Sequence, residues 1–211
     1  KQMQADLLLL LVTLCWGLSY YFMDICLAEM DPLNLNAFRF LLAFVVSGIV
    51  AFPRIRTVNK ETIKYSLFVA VALVFVYIGA TFGVKYTSLS NSGFLCALTV
   101  VFTPIFAFFI KKQIPDKKLI IVVVLCLIGI ALMTLNEHMK MAVGDILCLI
   151  CAFAYAIDLL ITETAVTRED VDAFQLGVFQ LGFTGLFMLI LSFIFEEPCL
   201  PSSGSGWGAA V

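Results

Sequence analysis

Charged residues are scarce in this sequence: they make up 13% of its 211 residues, whereas hydrophobic residues make up 62%. Water-soluble domains carry about 25% charged residues, because polar groups must cover their surface. The low charge therefore excludes a water-soluble globule, and the high apolar content excludes a disordered chain. The net charge of −2 offers no attraction for the phosphates of nucleic acids. What remains is an integral membrane protein.

The patterns of common catalytic and metal sites are also missing. The only histidine, His138, lies in a predicted loop, and the sequence has neither a His-Glu-x-x-His motif nor a phosphate-binding glycine loop. Cys148 and Cys151 form a Cys-x-x-Cys pair, but no second pair or histidine lies nearby. We therefore interpret them as small apolar residues. The sequence predicts no metal, no cofactor, no direct use of ATP and no enzymatic activity.

Long apolar runs dominate what is present. A bilayer core of about 30 Å needs roughly 20 apolar residues per helix. Seven segments meet this length: 7–28, 33–52, 65–84, 93–110, 119–135, 144–163 and 174–195. The short connections between them carry proline, serine and asparagine, which are typical of helix starts and ends. The predicted fold class is an all-α integral membrane protein, a multi-span helical bundle.

The positive charges orient these spans. With a cytoplasmic N-terminus, ten basic residues lie inside: Lys1, Arg54, Arg56, Lys60, Lys64, Lys111, Lys112, Lys117, Lys118 and Arg168. The outer loops hold only Lys85 and Lys140. An excess of Lys and Arg in short loops marks the cytoplasmic side. We predict a multi-pass protein of the cell's plasma or inner membrane with its N-terminus in the cytoplasm.

The first two spans resemble the sixth and seventh. Residues 5–24 align with 144–163, and residues 31–39 align with 172–180 once the second loop is given two more residues. Five spans separate the two copies, so the second copy enters the membrane from the opposite side. Such inverted repeats are typical of secondary transporters.

The repeat predicts the domain organisation. Residues 1–136 are the first five-helix repeat, and 143–195 are the first two helices of its inverted copy. Residues 196–211 form an outer loop and the start of an eighth helix. We expect a fragment of a ten-span protein that stops before its last three helices.

Several short motifs occur in an order and at spacings that match a known family. They are Cys15-Trp16-Gly17, Pro32 to Arg39, Tyr86-Thr87-Ser88 through Gly93-Phe94-Leu95, Thr103-Pro104-Ile105 and Gly144-Asp145-Ile146-Leu147. With them, essentially the whole chain resembles the EamA branch of the drug/metabolite transporter superfamily. The resemblance implies ten helices in two inverted five-helix repeats, a central cavity and alternating access. It also implies transport of amino acids and other small metabolites, often outward.

The chain departs from the family pattern at two places. Members commonly carry Glu just after the fourth helix, where this sequence has Lys112-Gln113, and often carry Trp where this sequence has Tyr155. Both departures bear on the identity of the solute and on how its transport is coupled.

Two ionisable side chains lie within the predicted spans. Arg39 is the seventh residue of its span, about 9 Å below the boundary at 1.5 Å per residue. It is either anchored at the surface or paired, or it binds a carboxylate. Asp158 shares a helix face with Cys148, Cys151 and Tyr155. We expect it to be protonated, as a proton relay or as a neutral acid bonded to a neighbouring helix.

Aromatic and hydroxyl side chains complete the candidate pathway on the first and sixth spans. Trp16, Ser19 and Tyr20 lie on one face, and Tyr155 occupies the repeat position of Trp16. Aromatic rings with one polar atom suit the wall of a cavity for amphipathic solutes. Ordinary helix packing is the alternative for each of them.

The third and fourth spans offer further candidates. Tyr77 and Thr81 are four residues apart, as are Thr99 and Thr103. Pro104 frees the carbonyl four residues before it, so we predict either a broken helix at a transport site or a simple kink. The threonines can also bond their own backbone.

These features predict a secondary transporter that moves amino-acid-like or drug-like solutes by alternating access, as an exporter. A seven-helix receptor or a structural membrane protein is the alternative; a receptor would place its N-terminus outside, against the charge bias. The expected partners are the lipid bilayer and a small solute, with protons as candidate coupling ions and a second copy as a candidate homodimer partner. No nucleic acid partner is expected.

Overall fold

The structure is a computed structural model that describes residues 2–112, 117–134 and 142–210. Within these residues the chain folds into helices and contains no strand. The helices are α1 (Gln2–Cys26), α2 (Pro32–Val50), α3 (Phe52–Ile55), α4 (Lys60–Tyr86), α5 (Leu89–Cys96), α6 (Thr99–Lys111), α7 (Lys117–Thr134), α8 (Val143–Val166), α9 (Ala173–Phe195) and α10 (Gly204–Ala210).

Among the described residues, six helical segments are long and apolar enough to cross a membrane. They are Asp6–Cys26, Pro32–Val50, Lys60–Tyr86, Leu89–Ile110, Val143–Val166 and Ala173–Phe195. The fifth predicted span corresponds to α7, with a shorter apolar helical stretch at Ile120–Gly129. Its last predicted residue lies outside the described part, as do Gln113, His138 and Lys140. The predicted fold, a multi-span helical membrane protein, is confirmed.

Helices α4 and α8 approach each other closely at glycines. A Cβ atom added at Gly79 would lie 2.8 Å from the carbonyl oxygen of Leu147, and one at Gly144 would lie 2.6 Å from the backbone nitrogen of Thr87. Gly79 and Gly83 have the four-residue spacing that lets membrane helices pack backbone against backbone. Larger side chains at these positions would force α4 and α8 apart.

Helices α2 and α9 pack through two related contacts. A Cβ atom at Gly185 would lie 2.9 Å from Leu41, and one at Gly182 would lie 2.9 Å from Phe44. The alignment of residue 31 with 172 corresponds to an offset of 141 (172 − 31). This offset relates Leu41 to Gly182 (41 + 141) and Phe44 to Gly185 (44 + 141). Each of the two contacts is therefore the repeat equivalent of the other.

The fourth span is interrupted, but not at the proline. Pro104, for which we predict either a broken helix or a simple kink, lies inside α6. The interruption is at Ala97 and Leu98, where the amide of Leu98 donates to the carbonyl of Leu95 at 3.1 Å. A tighter turn there satisfies the backbone locally, so the membrane segment continues into α6.

Polar contacts join the chain at the end of the bundle where α9 begins. The carboxylate of Asp172 accepts from the amide of Gln175 at 3.0 Å and pairs with Arg54 at 2.8 Å. These hydrogen bonds and the Arg54 guanidinium lower the pKa of Asp172. The side-chain amide of Gln175 donates to the carbonyl of Arg54 at 2.6 Å. The start of α9 is therefore held to the segment that follows α2.

A related set of contacts occurs at the end where α2 begins. Glu196 accepts from the amides of Leu33 and Asn34 at 3.1 and 2.9 Å. The side-chain amide of Asn34 donates to the carbonyl of Cys199 at 2.5 Å. Asn34 and Gln175 are 141 positions apart (175 − 34), and each holds the segment that follows the other repeat's second helix.

Glu29 fixes the segment that leads into α10. Its carboxylate accepts from the amides of Ser202 and Ser203, each at 3.1 Å, and from the hydroxyl of Ser203. The hydrogen bonds from Ser203 and Ser202 lower the pKa of Glu29. Trp207 then packs edge-on against Phe38, with ring centroids 5.6 Å apart. Residues after α9 thus fold back onto α1 and α2.

Candidate substrate-binding cavity

A cavity of about 500 Å³ lies between α2, α4 and α9. Its wall is apolar except at one end, where charged and hydrogen-bonding groups meet. The lining residues are Asn36, Arg39, Phe40, Leu42, Ala43, Val46, Tyr77 and Leu181. Such a volume, with few polar groups in an apolar wall, is typical of small-molecule sites.

Arg39 supplies the positive charge of this cavity. It is half-buried, and its Nη2 atom donates to the hydroxyl of Ser19 on α1 at 2.6 Å. Among the described residues, none of the carboxylates forms an ion pair with it. A charge placed within a membrane span is costly and usually serves a ligand, an ion or a structural partner. The guanidinium is therefore available to an anionic group.

Tyr77 and Asn36 form the polar end of the wall. Tyr77 packs edge-on against Phe40, with ring centroids 4.6 Å apart. Asn36 donates to the hydroxyl of Thr81 at 2.9 Å, and that hydroxyl donates back to the Asn36 carbonyl oxygen at 3.2 Å. Thr81 is completely buried. It therefore holds Asn36 in position rather than facing the cavity.

Asp158 lies on α8, outside the residues that line this cavity. The residue is 4% exposed, and among the described residues no donor bonds its Oδ1 atom. On α9, the Oε1 atom of Gln180 is likewise buried without a donor from the described residues. Buried acceptors without donors are rare in folded proteins, so these two atoms need an explanation.

The aromatic candidates on α1 and α8 meet each other. The rings of Trp16 and Tyr155 lie 5.4 Å apart, tilted by 50°. These residues occupy equivalent positions of the two aligned segments, separated by 139 (155 − 16). Trp16 is 46% exposed, so part of its ring surface remains uncovered. Tyr20, one turn further along, packs against a buried cluster of Met23, Cys26, Met30, Leu35 and Val84.

The fourth-span candidates are not among the residues that line this cavity. Thr99 donates to the carbonyls of Cys96 and Ala152 at 2.9 and 3.3 Å, and Thr103 donates to the carbonyl of Thr99 at 2.7 Å. Their hydroxyls are used to satisfy the backbone near the interruption and to hold α6 on α8. Pro104 follows them within α6.

A second cavity, of about 440 Å³, lies between α2 and residues 198–200. Its wall is apolar apart from Asn34, whose amide is already bonded to Cys199. It contains no charged group with which to bind a polar solute, so the cavity at Arg39 is the better candidate.

Two groups of residues were not predicted from the sequence. Asn36 and Gln180 are polar residues within apolar runs. The alignment of Gln180 with Arg39 in the repeat could have identified Gln180 as a candidate. The close approach of α4 and α8 had a signal in the spacing of Gly79 and Gly83. Polar residues and paired glycines in membrane helices both indicate helix contacts or sites.

Apolar membrane helices thus surround a cavity that contains the Arg39 guanidinium. The sequence profile of the EamA-like transporter family matches residues 3–135. The chain belongs to this family, and the predicted resemblance is confirmed.

The relatives agree with this assignment. A protein of Archaeoglobus fulgidus described as an uncharacterized transporter is 30% identical over 159 residues, which cover 75% of this chain and 49% of that protein. A second uncharacterized transporter of the same organism is 26% identical over 203 residues, covering 92% of this chain and 70% of that protein. The chain thus spans about half the length of the first relative.

A solved crystal structure has the same fold. It aligns over 92% of this chain and 70% of its own, with a TM-score of 0.59 and 15% sequence identity. At this identity the likeness concerns the fold alone.

Proposed function

We propose that this chain forms the solute-binding part of a secondary transporter that exports amino-acid-like or drug-like solutes by alternating access. One observation supports the proposal most directly: Arg39 lies in a cavity within the membrane spans and forms no ion pair with a carboxylate of the described residues. A charge within a membrane span is costly unless a partner balances it. An anionic group of the solute supplies that partner.

The two-repeat organisation is part of the proposal. Residues 1–136 form one repeat, 143–195 begin its inverted copy, and 196–211 lead into that copy's next helix. The exchanged contacts of Leu41 and Phe44 and the matched roles of Asn34 and Gln175 support an approximate two-fold relation. In such a relation, α2 and α9 exchange conformations when the transporter changes its open side.

The orientation follows from the charge bias. We place the N-terminus in the cytoplasm and the protein in the plasma membrane, because ten loop cations lie on one side against two on the other. Labelling Cys199 with a membrane-impermeant maleimide from outside the cell tests this orientation. A homodimer stays a prediction, which chemical cross-linking in native membranes would test.

The decisive experiment measures solute counterflow in proteoliposomes that contain the full-length protein. Saturable counterflow of a labelled amino acid, amine or drug supports the carrier, and Arg39→Ala should reduce it strongly because the anionic group loses its partner. Ser47→Ala is the matched control, since the Ser47 hydroxyl bonds only its own helix. Absence of counterflow across all three solute classes would favour a receptor or structural protein.

Proton coupling is tested at Asp158. If Asp158 relays protons, Asp158→Asn should abolish flux driven by a pH gradient while leaving counterflow, which needs no net proton movement, in place. Unchanged pH dependence in this variant would refute the relay. Flux compared between inside-out and right-side-out vesicles measures the proposed export direction.

A further inference from the structure

The Arg39 cavity has a polar end and a long apolar wall, and both are set by one face of α2. The lining residues that α2 contributes are Asn36, Arg39, Phe40, Leu42, Ala43 and Val46. Spacings of three, four and seven residues keep side chains on one helix face, so the wall continues from Arg39 past Ala43 to Val46. Tyr77 of α4 and Leu181 of α9 complete the lining.

Helix geometry gives the length of the apolar wall. Ala43 and Val46 follow Arg39 by 4 residues (43 − 39) and 7 residues (46 − 39). At about 1.5 Å per residue, they lie about 6 and 10 Å further along the helix axis. The lining residues that α2 contributes beyond Arg39 are all apolar. A solute anchored at Arg39 can therefore lay an apolar body along this wall.

Arg39 has hydrogen-bonding capacity left for a carboxylate. Its guanidinium carries several N–H donors, and Ser19 accepts from one nitrogen at 2.6 Å. Ser19 is the single hydrogen-bond partner of the Arg39 side chain among the described residues. An arginine can bind both oxygens of a carboxylate through parallel hydrogen bonds, which fixes the orientation of the bound group. The charged group of the solute therefore belongs at this end of the cavity.

The two ends of the wall differ in how closely they are packed. Near Arg39, Phe40 is buried and packs edge-on against Tyr77, with ring centroids 4.6 Å apart. At the other end, Ala43 is exposed and Val46 is 55% exposed. The aromatic rings thus limit the width of the solute beside its charged group, and the far end leaves room for a longer body.

We propose that this cavity binds monocarboxylates with an unbranched apolar body of about 10 Å, the carboxylate at Arg39 and the body along Ala43 and Val46. Ala43 and Val46 are then specificity-determining residues for the length of the solute. This inference rests on the proposed function and names the class of solute that the cavity takes. A phospholipid also has an anionic group and an apolar chain, but Arg39 lies about 9 Å below the boundary of its span, deeper than a headgroup.

The test measures the binding of straight-chain carboxylates to the full-length protein. The protein is held in phosphatidylcholine nanodiscs, and calorimetry with empty nanodiscs subtracted gives the affinities of butanoate, hexanoate and octanoate. A fully buried methylene contributes about 4-fold to affinity, and because this wall is open on one side we expect about 2-fold or more. Octanoate should therefore bind about 16-fold or more tighter than butanoate, over the four methylenes by which they differ.

Two matched probes test the charge. Hexanamide has the body of hexanoate without its charge, and 6-aminohexanoate adds an ammonium group at the far end. Both should bind about 10-fold or more weakly than hexanoate, because the amide loses charged hydrogen bonds and the ammonium group meets an apolar wall. Arg39→Gln should abolish the preference for hexanoate over hexanamide, and Arg39→Lys should retain part of it.

Variants of α2 test the length of the wall. Ala43→Phe should remove most of the gain from butanoate to octanoate, because the ring occupies the middle of the wall. Val45→Phe is the matched control, since Val45 is 52% exposed and lines the second cavity instead; it should keep the full gain. Val46→Trp should weaken octanoate more than hexanoate, and it tests the same wall where Ala43→Phe does not fold.

The outcomes distinguish the two proposals. Equal affinities across the series, hexanamide binding as well as hexanoate, or an equal gain in Ala43→Phe and Val45→Phe overturns the carboxylate site, even where counterflow of other solutes upholds the transporter. Loss of octanoate binding when phosphatidylglycerol is added to the nanodiscs identifies a lipid as the occupant and also overturns it. A chain-length gain that depends on Arg39 and Ala43 upholds the site, even where counterflow is absent and the transporter proposal fails.

Discussion

Replacing Gly79 by alanine tests the close packing of α4 and α8. The added methyl group would lie 2.8 Å from the carbonyl oxygen of Leu147 and 2.9 Å from the Cβ of Cys151. The first of these is a backbone atom and cannot rotate away. The helices must therefore separate, or the methyl group must remain in an unfavourable contact.

The magnitude follows from two opposing terms. Overpacking a well-packed interface costs about 1–3 kcal/mol. Alanine in place of glycine within a helix gains about 0.4–1 kcal/mol, chiefly by restricting the unfolded chain. The expected net effect of Gly79→Ala is a loss of stability of about 0–2.6 kcal/mol, which is about 1–3 kcal/mol below a variant that receives only the helix gain.

Gly177→Ala is the matched control. Gly177 lies within α9, and nothing comes within 4 Å of a Cβ atom added there. This variant should receive the helix gain without the packing cost. The two variants are compared by thermal unfolding in the same detergent, where about 1 kcal/mol corresponds to roughly 2–4 °C for a chain of this size. Equal or greater stability of Gly79→Ala relative to Gly177→Ala would refute the packing reasoning.

Two charged groups outside the membrane spans give further predictions. Asp172→Ala should destabilise the protein by about 0.5–2 kcal/mol because α9 loses its N-terminal cap. Asp172→Asn keeps an acceptor and should lose only the exposed ion pair, which is worth less than about 1 kcal/mol. Chemical denaturation of both variants measures the difference, and equal losses would contradict the capping role. Because hydrogen bonds from Ser203 lower the pKa of Glu29 from its ordinary value of 4.5, the contacts of Glu29 contribute stability above pH 4.5 and are lost as the pH falls through the lowered value. Alkylation requires the thiolate, so the rate at Cys199 is compared between the wild type and Glu29→Gln at each pH, which cancels the fall in thiolate fraction. The ratio of the wild-type rate to the variant rate should rise towards one as the pH falls through the lowered pKa of Glu29; a ratio that does not change with pH would contradict the role of Glu29.

Element boundaries could be predicted because they depend on local properties. The seventh span was predicted at 174–195 and is found at Ala173–Phe195. Its start is fixed by Asp172, whose side chain caps the helix, and its apolar length follows from the bilayer thickness. The capping residue and the apolar run are adjacent in the sequence, so the sequence alone is enough to recognise them.

The contacts between distant residues could not be predicted in the same way. Thr81 was a pathway candidate, but it is completely buried and bonded to Asn36 on another helix. Pro104 was predicted to mark either a broken helix at a transport site or a simple kink; it lies inside α6, and the interruption is at Ala97 and Leu98, where the amide of Leu98 bonds the carbonyl of Leu95. The composition of one helix does not specify which neighbour covers each face, and that decides whether a polar group faces a cavity or a partner.

The meeting of α4 with α8 also has a consequence for synthesis. The Gly79 surface is made 72 residues before Cys151, which covers it (151 − 79). At about 5–20 residues per second, this interval is roughly 4–14 s. During that time the groove on α4 is exposed to lipid or to the insertion machinery, and α8 must displace that occupant after it enters the membrane. Assembly of this helix pair therefore follows the insertion of α4 and cannot be completed until α8 has been synthesised.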